Sequence, residues 1–121
     1  SFIYSTSLPP AIIAADLAAV RLCRNGLDRG RKLLRRADEV RNTLREQGWQ
    51  VLGESQIIPV VVGDNSEVMR LGDELAKRGI RAVPVRPPTV PEGESRLRFS
   101  LSWAHTDSQV NKLTEALSEL R

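Results

Sequence analysis

Twice in this chain one β-prone run follows another with no helical segment between them. That adjacency limits the fold more than any other feature of the 121 residues. The first pair is Trp49-Gln50-Val51-Leu52, read as a short edge strand, and Ile57-Ile58-Pro59-Val60-Val61-Val62-Gly63, with Gly53-Glu54-Ser55 as the turn. The second pair is Ile80-Arg81-Ala82-Val83-Pro84-Val85 and Arg96-Leu97-Arg98-Phe99-Ser100-Leu101-Ser102, joined by a proline-rich loop. Parallel neighbours need a crossover, usually a helix, so a purely parallel doubly wound sheet is not expected. The expected fold is α+β: a small mixed or antiparallel sheet with helices packed on one face. Pro59 has no N–H to give, which puts it near a strand start or on a side without a ladder partner.

The remaining segments read as helices. Pro9-Pro10 suits the first turn of a helix, where a missing N–H costs nothing. Residues 11–22 are Ala-rich and apolar over most of their surface, which predicts a largely buried helix ended by Asn25-Gly26. Asp28 is read as the cap of a second helix over 28–47, with Leu33, Leu34, Ala37, Val40 and Leu44 at helical spacing and Gly48 as its stop. Asp64-Asn65-Ser66 supplies a cap for a third helix to Arg78, stopped by Gly79. Thr106-Asp107-Ser108-Gln109 resembles a capping box, and Val110, Leu113, Leu117 and Leu120 form the inner stripe of a last helix.

Composition narrows the function classes. The net charge is +3, yet many arginines lie within 21–45 among Asp28, Asp38, Glu39 and Glu46, a mixture suited to a solvated helix face rather than a phosphate track. Aromatic residues make up 4%, too few for a base-stacking platform, so no nucleic-acid partner is expected. Cys23 is the only cysteine and falls in an apolar helical pattern, so a disulfide framework is excluded and a small core residue is expected. With His105 the only histidine, no cage of two or more His/Cys metal ligands is expected. No apolar run is long enough for a membrane span. The chain opens Ser1-Phe2-Ile3-Tyr4 without an initiator methionine and is read as a piece of something longer.

Three segments carry candidate binding chemistry. Arg96 and Arg98 are two apart on a strand and share a face, while Leu97, Phe99 and Leu101 share the other. A guanidinium suits a carboxylate because its planar fork makes two parallel charge-assisted bonds. The same spacing also fits two solvated strand charges. Arg86-Pro87-Pro88-Thr89-Val90-Pro91 fixes φ at three positions and presents the Thr89 hydroxyl from a stiff frame, or simply connects two strands. Tyr4-Ser5-Thr6-Ser7 sets hydroxyls before a helix entrance, an arrangement that binds phosphate or merely caps the helix. His105, just before a helix start, is read as a hydrogen-bonding residue of that terminus rather than the base of a triad.

Taken in order, Phe2-Ile3-Tyr4-Ser5-Thr6-Ser7-Leu8-Pro9-Pro10, Ile57-Ile58-Pro59-Val60, Val62-Gly63-Asp64-Asn65, the proline loop from Arg86 to Pro91, and Arg96-Leu97-Arg98 with Ala104-His105-Thr106 resemble the C-terminal part of the α-oxoamine synthases. These are pyridoxal-phosphate enzymes of the fold-type I aminotransferase superfamily. The resemblance runs over essentially the whole chain. It implies that residues 1–121 are the small C-terminal domain of a longer cytoplasmic homodimer whose large cofactor-binding domain lies outside them. The Arg-Pro-Pro-Thr-Val-Pro wording is most like the family member that condenses L-alanine with a pimeloyl thioester, with loss of carbon dioxide. Relatives that form 5-aminolevulinate or 2-amino-3-oxobutyrate differ at the loop's first residues.

Carried over residue by residue, the resemblance gives Arg98 the amino-acid carboxylate and gives Thr89 a substrate contact. It gives Ser5 and Thr6 the cofactor phosphate of the neighbouring subunit. The chain departs from the family at the Schiff-base lysine: Lys32, Lys77 and Lys112 are its only lysines and none sits in the family's Ser-x-x-Lys segment. The histidine that stacks on the cofactor ring and the aspartate at its pyridine nitrogen are also missing. The expectation is therefore no catalytic residue, no covalently held pyridoxal phosphate and no synthase activity in this chain alone. A free-standing anion-binding α+β module is the rival from another class.

Overall fold

A computed structural model describes residues 7–121. The chain forms two compact units, Ser1–Arg31 and Lys32–Arg121. Ser5 and Thr6 lie outside the described residues.

In the first unit, helix α1 (Pro10–Asn25) starts with Pro9 at its N-cap and a proline in its first turn, and Ile13 N–H donates to the Pro9 carbonyl at 3.2 Å. The expectation of a largely buried helix is not met: α1 has no buried residue, and Ile12, Ile13, Leu17, Val20 and Leu22 are all exposed. Cys23 is likewise exposed rather than a core residue. A helix apolar all round needs partners on several sides, and the described residues of this unit offer no second layer.

Helix α2 (Leu27–Glu46) begins one residue before the expected cap, so Asp28 lies in its first turn instead of capping it. The second unit then holds strands β1 (Gln50–Val51) and β2 (Ile57–Gly63), helix α3 (Asn65–Lys77), strands β3 (Val83–Val85) and β4 (Ser95–Ser100), and helix α4 (Asp107–Glu119). The sheet order is β1-β2-β4-β3, and every neighbouring pair is antiparallel. The expected α+β architecture thus holds, in its wholly antiparallel form. β1 and β3 are shorter than the apolar runs suggested; before β3, Ile80, Arg81 and Ala82 are spent leaving α3 rather than pairing.

Alternation along β2 and β4 divides the sheet into two faces. Ile58 faces Phe99 and Val60 faces Leu97 across the ladder, and all four are buried. They join Ala37, Val40 and Leu44 of α2, Val68, Leu71 and Leu75 of α3, and Val110, Leu113 and Leu117 of α4 in one core. α3 lies close on the β3–β4 pair because Gly72 has no side chain: a Cβ there would stand 3.1 Å from Pro84 Cγ. Pro59 sits inside a central strand, yet its carbonyl accepts from Leu52 N–H at 2.9 Å on the β1 side. In an antiparallel pair a residue's N–H and C=O point the same way. The missing donor therefore faces the residues just past the two-residue β1, and the ladder to β4 loses nothing.

Candidate functional site

The open face of the sheet carries the two arginines selected from the sequence. Arg96 stands opposite Val61 and Val85, and Arg98 opposite Pro59 and Val83. The structure separates them chemically. Arg96 is half-buried, and its guanidinium is held by Glu94, with Nη2 2.7 Å from the carboxylate and Nε 3.0 Å from the backbone carbonyl. Arg98 is exposed and forms no hydrogen bond or ion pair among the described residues. An arginine already neutralised beside one left with all its donors is what distinguishes a structural cation from one available to a ligand.

The strand carrying them is fixed at its entry. Gly93 adopts φ +77° in a turn in which Glu94 N–H donates to the Pro91 carbonyl at 3.2 Å. The Ser95 hydroxyl, fully buried, donates to the side-chain carbonyl of Asn65 in the first turn of α3. Asp64 caps that helix by accepting from Glu67 N–H at 2.9 Å. The Ser66 hydroxyl first, and the Glu67 N–H next, hold the Asp64 carboxyl below its ordinary range. Thr89 is exposed in the proline loop, where its N–H closes a turn on the Arg86 carbonyl at 3.0 Å and the Pro87–Pro88 bond is cis. That loop leaves β3 after Val85, at the Arg96 end, whereas Arg98 pairs with Val83 at the other end. Thr89 is not among the residues that line the cleft bordered by Arg98.

At the Val83 end a cleft of about 550 Å³ opens where β3 stops and β4 runs on. Its polar lining includes Arg81, Arg98, His105, Gln109 and Lys112. Ile80, Leu101 and Leu113 supply apolar wall. Three separate elements hold these groups. Gly79, with φ +73°, ends α3: its N–H donates to the Ala76 carbonyl and Ile80 N–H reaches back to Leu75, both at 2.9 Å. That arrangement favours glycine because it needs a left-handed residue. It also leaves room for Lys112, whose Nζ would lie 3.9 Å from a Cβ at Gly79. Thr106 and Gln109 form the expected capping box of α4. Arg36 of α2 clamps the approach to that helix, donating to the His105 carbonyl at 2.5 Å and pairing with Asp107.

His105 behaves as the sequence suggested: its Nδ1 accepts from Ser102 N–H at 3.0 Å beside the start of α4. Arg81, Gln109 and Lys112 escaped the sequence reading. They lie on a connector and on the outer side of a helix, and only the tertiary fold gathers them around Arg98. A second hollow, of about 320 Å³, lies between α2 and Trp103 and shares none of the sequence-selected residues. Among the described residues no group of three or more His, Cys, Asp or Glu side chains is placed to hold a metal, and no helix is long and apolar enough to cross a membrane.

The four-stranded antiparallel sheet that carries Arg98 on its open face has relatives of known class in both sequence and fold. The family model for aminotransferases of class I and II matches residues 1–117, and the chain belongs to that family. Within it the chain is 40% identical over 121 residues to 8-amino-7-oxononanoate synthase of Xanthomonas axonopodis pv. citri, covering 99% of this chain and 30% of that protein. The solved 8-amino-7-oxononanoate synthase of Francisella tularensis superposes with a TM-score of 0.79 at 26% identity, over 98% of this chain and 35% of that one. Serine palmitoyltransferase of Sphingomonas wittichii superposes with a TM-score of 0.83 at 26% identity, over 98% and 31%. The chain thus spans about a third of the length of these relatives, and the resemblance drawn from its motifs is borne out.

Pyridoxal phosphate is the cofactor that the resemblance implies, and the described residues do not by themselves fit it. Lys32 borders the hollow between α2 and Trp103, apart from the cleft that Arg98 lines, and Lys77 is exposed with its ammonium engaged by Glu74 at 2.6 Å. Lys112 borders an open cleft that contains no carboxylate to meet a pyridine nitrogen.

Proposed function

We propose that this chain is the C-terminal small domain of a longer, homodimeric biotin-pathway synthase that condenses L-alanine with a pimeloyl thioester to give 8-amino-7-oxononanoate and carbon dioxide. Arg98 is the residue that holds the amino-acid carboxylate. The observation that carries this reading is the division of labour on β4: Arg96 is neutralised by Glu94, while Arg98 keeps its whole fork free on an open sheet face. The relatives named as this synthase, similar over nearly the whole chain, support the choice of reaction. Thr89 touches substrate from the proline loop, and Ser5 and Thr6 reach the cofactor phosphate of the neighbouring subunit.

Pyridoxal phosphate and its lysine belong to the remainder of the longer protein; the cofactor supplies the electron sink for loss of the carboxyl group. The share of this chain's residues is to bind and orient the amino acid. A cytoplasmic location accompanies this reading. The apolar residues on both sides of β2 support a partner for the open face: Pro59 and Val61 look away from the core, although strands apolar on both sides are usually covered on both.

The test is an assay of the full-length protein with pimeloyl thioester and either alanine or glycine. Alanine is expected to be preferred, and Arg98→Lys, which keeps the charge but loses the two-pronged bond, is expected to raise the KM for alanine about tenfold or more, from the roughly 1.5–3 kcal/mol of a charge-assisted pair. Preference for glycine points instead to a synthase making 5-aminolevulinate or 2-amino-3-oxobutyrate, and an unchanged KM removes Arg98 from the substrate site.

A further inference from the structure

The cleft beside Arg98 has a property that the amino-acid reading does not use: His105 and Gln109 have each spent an acceptor and kept a donor, and Arg81 and Lys112 can only donate. His105 uses Nδ1 to accept from Ser102 N–H, which puts its ring proton on Nε2 and leaves an N–H to give. Gln109 uses Oε1 to accept from Thr106 N–H at 2.9 Å, which leaves its amide NH2. Arg81 and Lys112 can only donate, and neither forms an ion pair or hydrogen bond among the described residues. No aspartate or glutamate borders the cleft. Asp107, the acidic residue nearest in sequence, is taken by Arg36. Elsewhere in this unit Arg36, Arg41, Arg70, Lys77, Arg78 and Arg96 each have an acidic partner, and the cations without one, such as Arg35 and Arg86, do not line this cleft. Cations left without one around a shared hollow repel each other, a cost that an anion between them removes. The walls at Ile80, Leu101 and Leu113 are apolar, and the volume is that of a small-molecule site.

We infer that this cleft binds an organic anion with an apolar body, its carboxylate or phosphate head taken by Arg81, Lys112, His105 Nε2–H and the Gln109 amide. The inference does not rest on the synthase reading, because the site is built entirely within residues 79–113 of this chain. The experiment titrates the 121-residue chain with octanoate, octyl phosphate and inorganic phosphate. It follows the amide resonances of Gly79, Ser100 and Leu101 and measures affinity by calorimetry. Octanoate or octyl phosphate is expected to bind at least tenfold tighter than inorganic phosphate, and the tighter of the two identifies the head group. Lys112→Glu and Arg81→Glu, both at exposed positions, are each expected to weaken that binding at least tenfold, while Lys32→Glu on α2 changes it less than twofold. The inference is overturned by the absence of binding, by inorganic phosphate binding as tightly as the chain-bearing anions, or by affinity that survives both charge reversals. Arg98 is left unchanged throughout, so failure here leaves its role in the amino-acid reading untouched.

Discussion

Single residues in this chain change meaning with their partners. From spacing, Arg96 and Arg98 are equivalent; Glu94 makes them different, and Glu94 sits in a loop whose geometry no alternation pattern specifies. Arg41 is the sharper case. In the sequence it is one more arginine on a mixed-charge helix, yet it is 1% exposed, with Nη2 2.5 Å from Asp38 and Nη1 2.5 Å from the Ser55 carbonyl. It ties α2 to the turn between β1 and β2 and fills space in doing so. Arg41→Ala is expected to cost about 2–4 kcal/mol, combining lost packing with an unpaired carbonyl, and Arg41→Lys to recover less than half, since a single ammonium cannot serve two divergent acceptors as a fork does. Urea denaturation midpoints of the two variants measure this, and a midpoint for Arg41→Ala equal to that of the parent would show that the burial carries no stability.

At the scale of elements, the boundaries legible in the sequence are those with a local chemical cause. β2 occupies Ile57–Gly63 as the apolar run suggested, α3 starts after Asp64, and α4 starts with its capping box. Thr106→Ala removes one arm of that box and is expected to cost about 1 kcal/mol, read as a lower denaturation midpoint, with Thr106→Ser close to the parent. The Asp64 cap makes a pH prediction. Its carboxyl titrates lower when folded than when unfolded, so its stabilising effect is complete above about pH 4, the unfolded value, and is lost as pH falls through the lower folded value. Asp64→Asn keeps a capping oxygen without the charge. Comparing Tm between pH 7 and pH 2 should show the parent losing its advantage over this variant across the acid range, and parallel curves would contradict the assignment. What was not legible depended on tertiary contact. β3 lost Ile80 and Arg81 to the exit from α3, and Gly72 owes its place to Pro84, which packs against it across the fold. Gly72→Val should cost about 1–3 kcal/mol through overpacking, where a solvated helical glycine would have tolerated the change far better.

Over the whole molecule, core and apolar surface are divided unequally. Among the described residues every buried hydrophobic side chain lies between Ala37 and Leu117, while α1, composed largely of Ala, Ile, Leu and Val, buries none. The sequence made α1 look like core because composition reports what a helix needs, not whether the chain supplies it. Stability should therefore reside in the second unit alone. A chain beginning at residue 27 is expected to unfold cooperatively with the denaturation midpoint of the full 121 residues, and to remain soluble at concentrations where the longer chain, bearing α1, self-associates. Light scattering and urea titration measure the two effects separately. A midpoint that falls on removing residues 1–26 would mean that α1 contributes to the core. An unchanged midpoint with no gain in solubility would mean that its apolar side chains are not the adhesive surface. The open sheet face offers an internal comparison, since Val83 and Ile57 stay exposed in both chains and any association they cause survives the truncation. Residual self-association that disappears in Val83→Lys would assign the remainder to the face that carries Arg98.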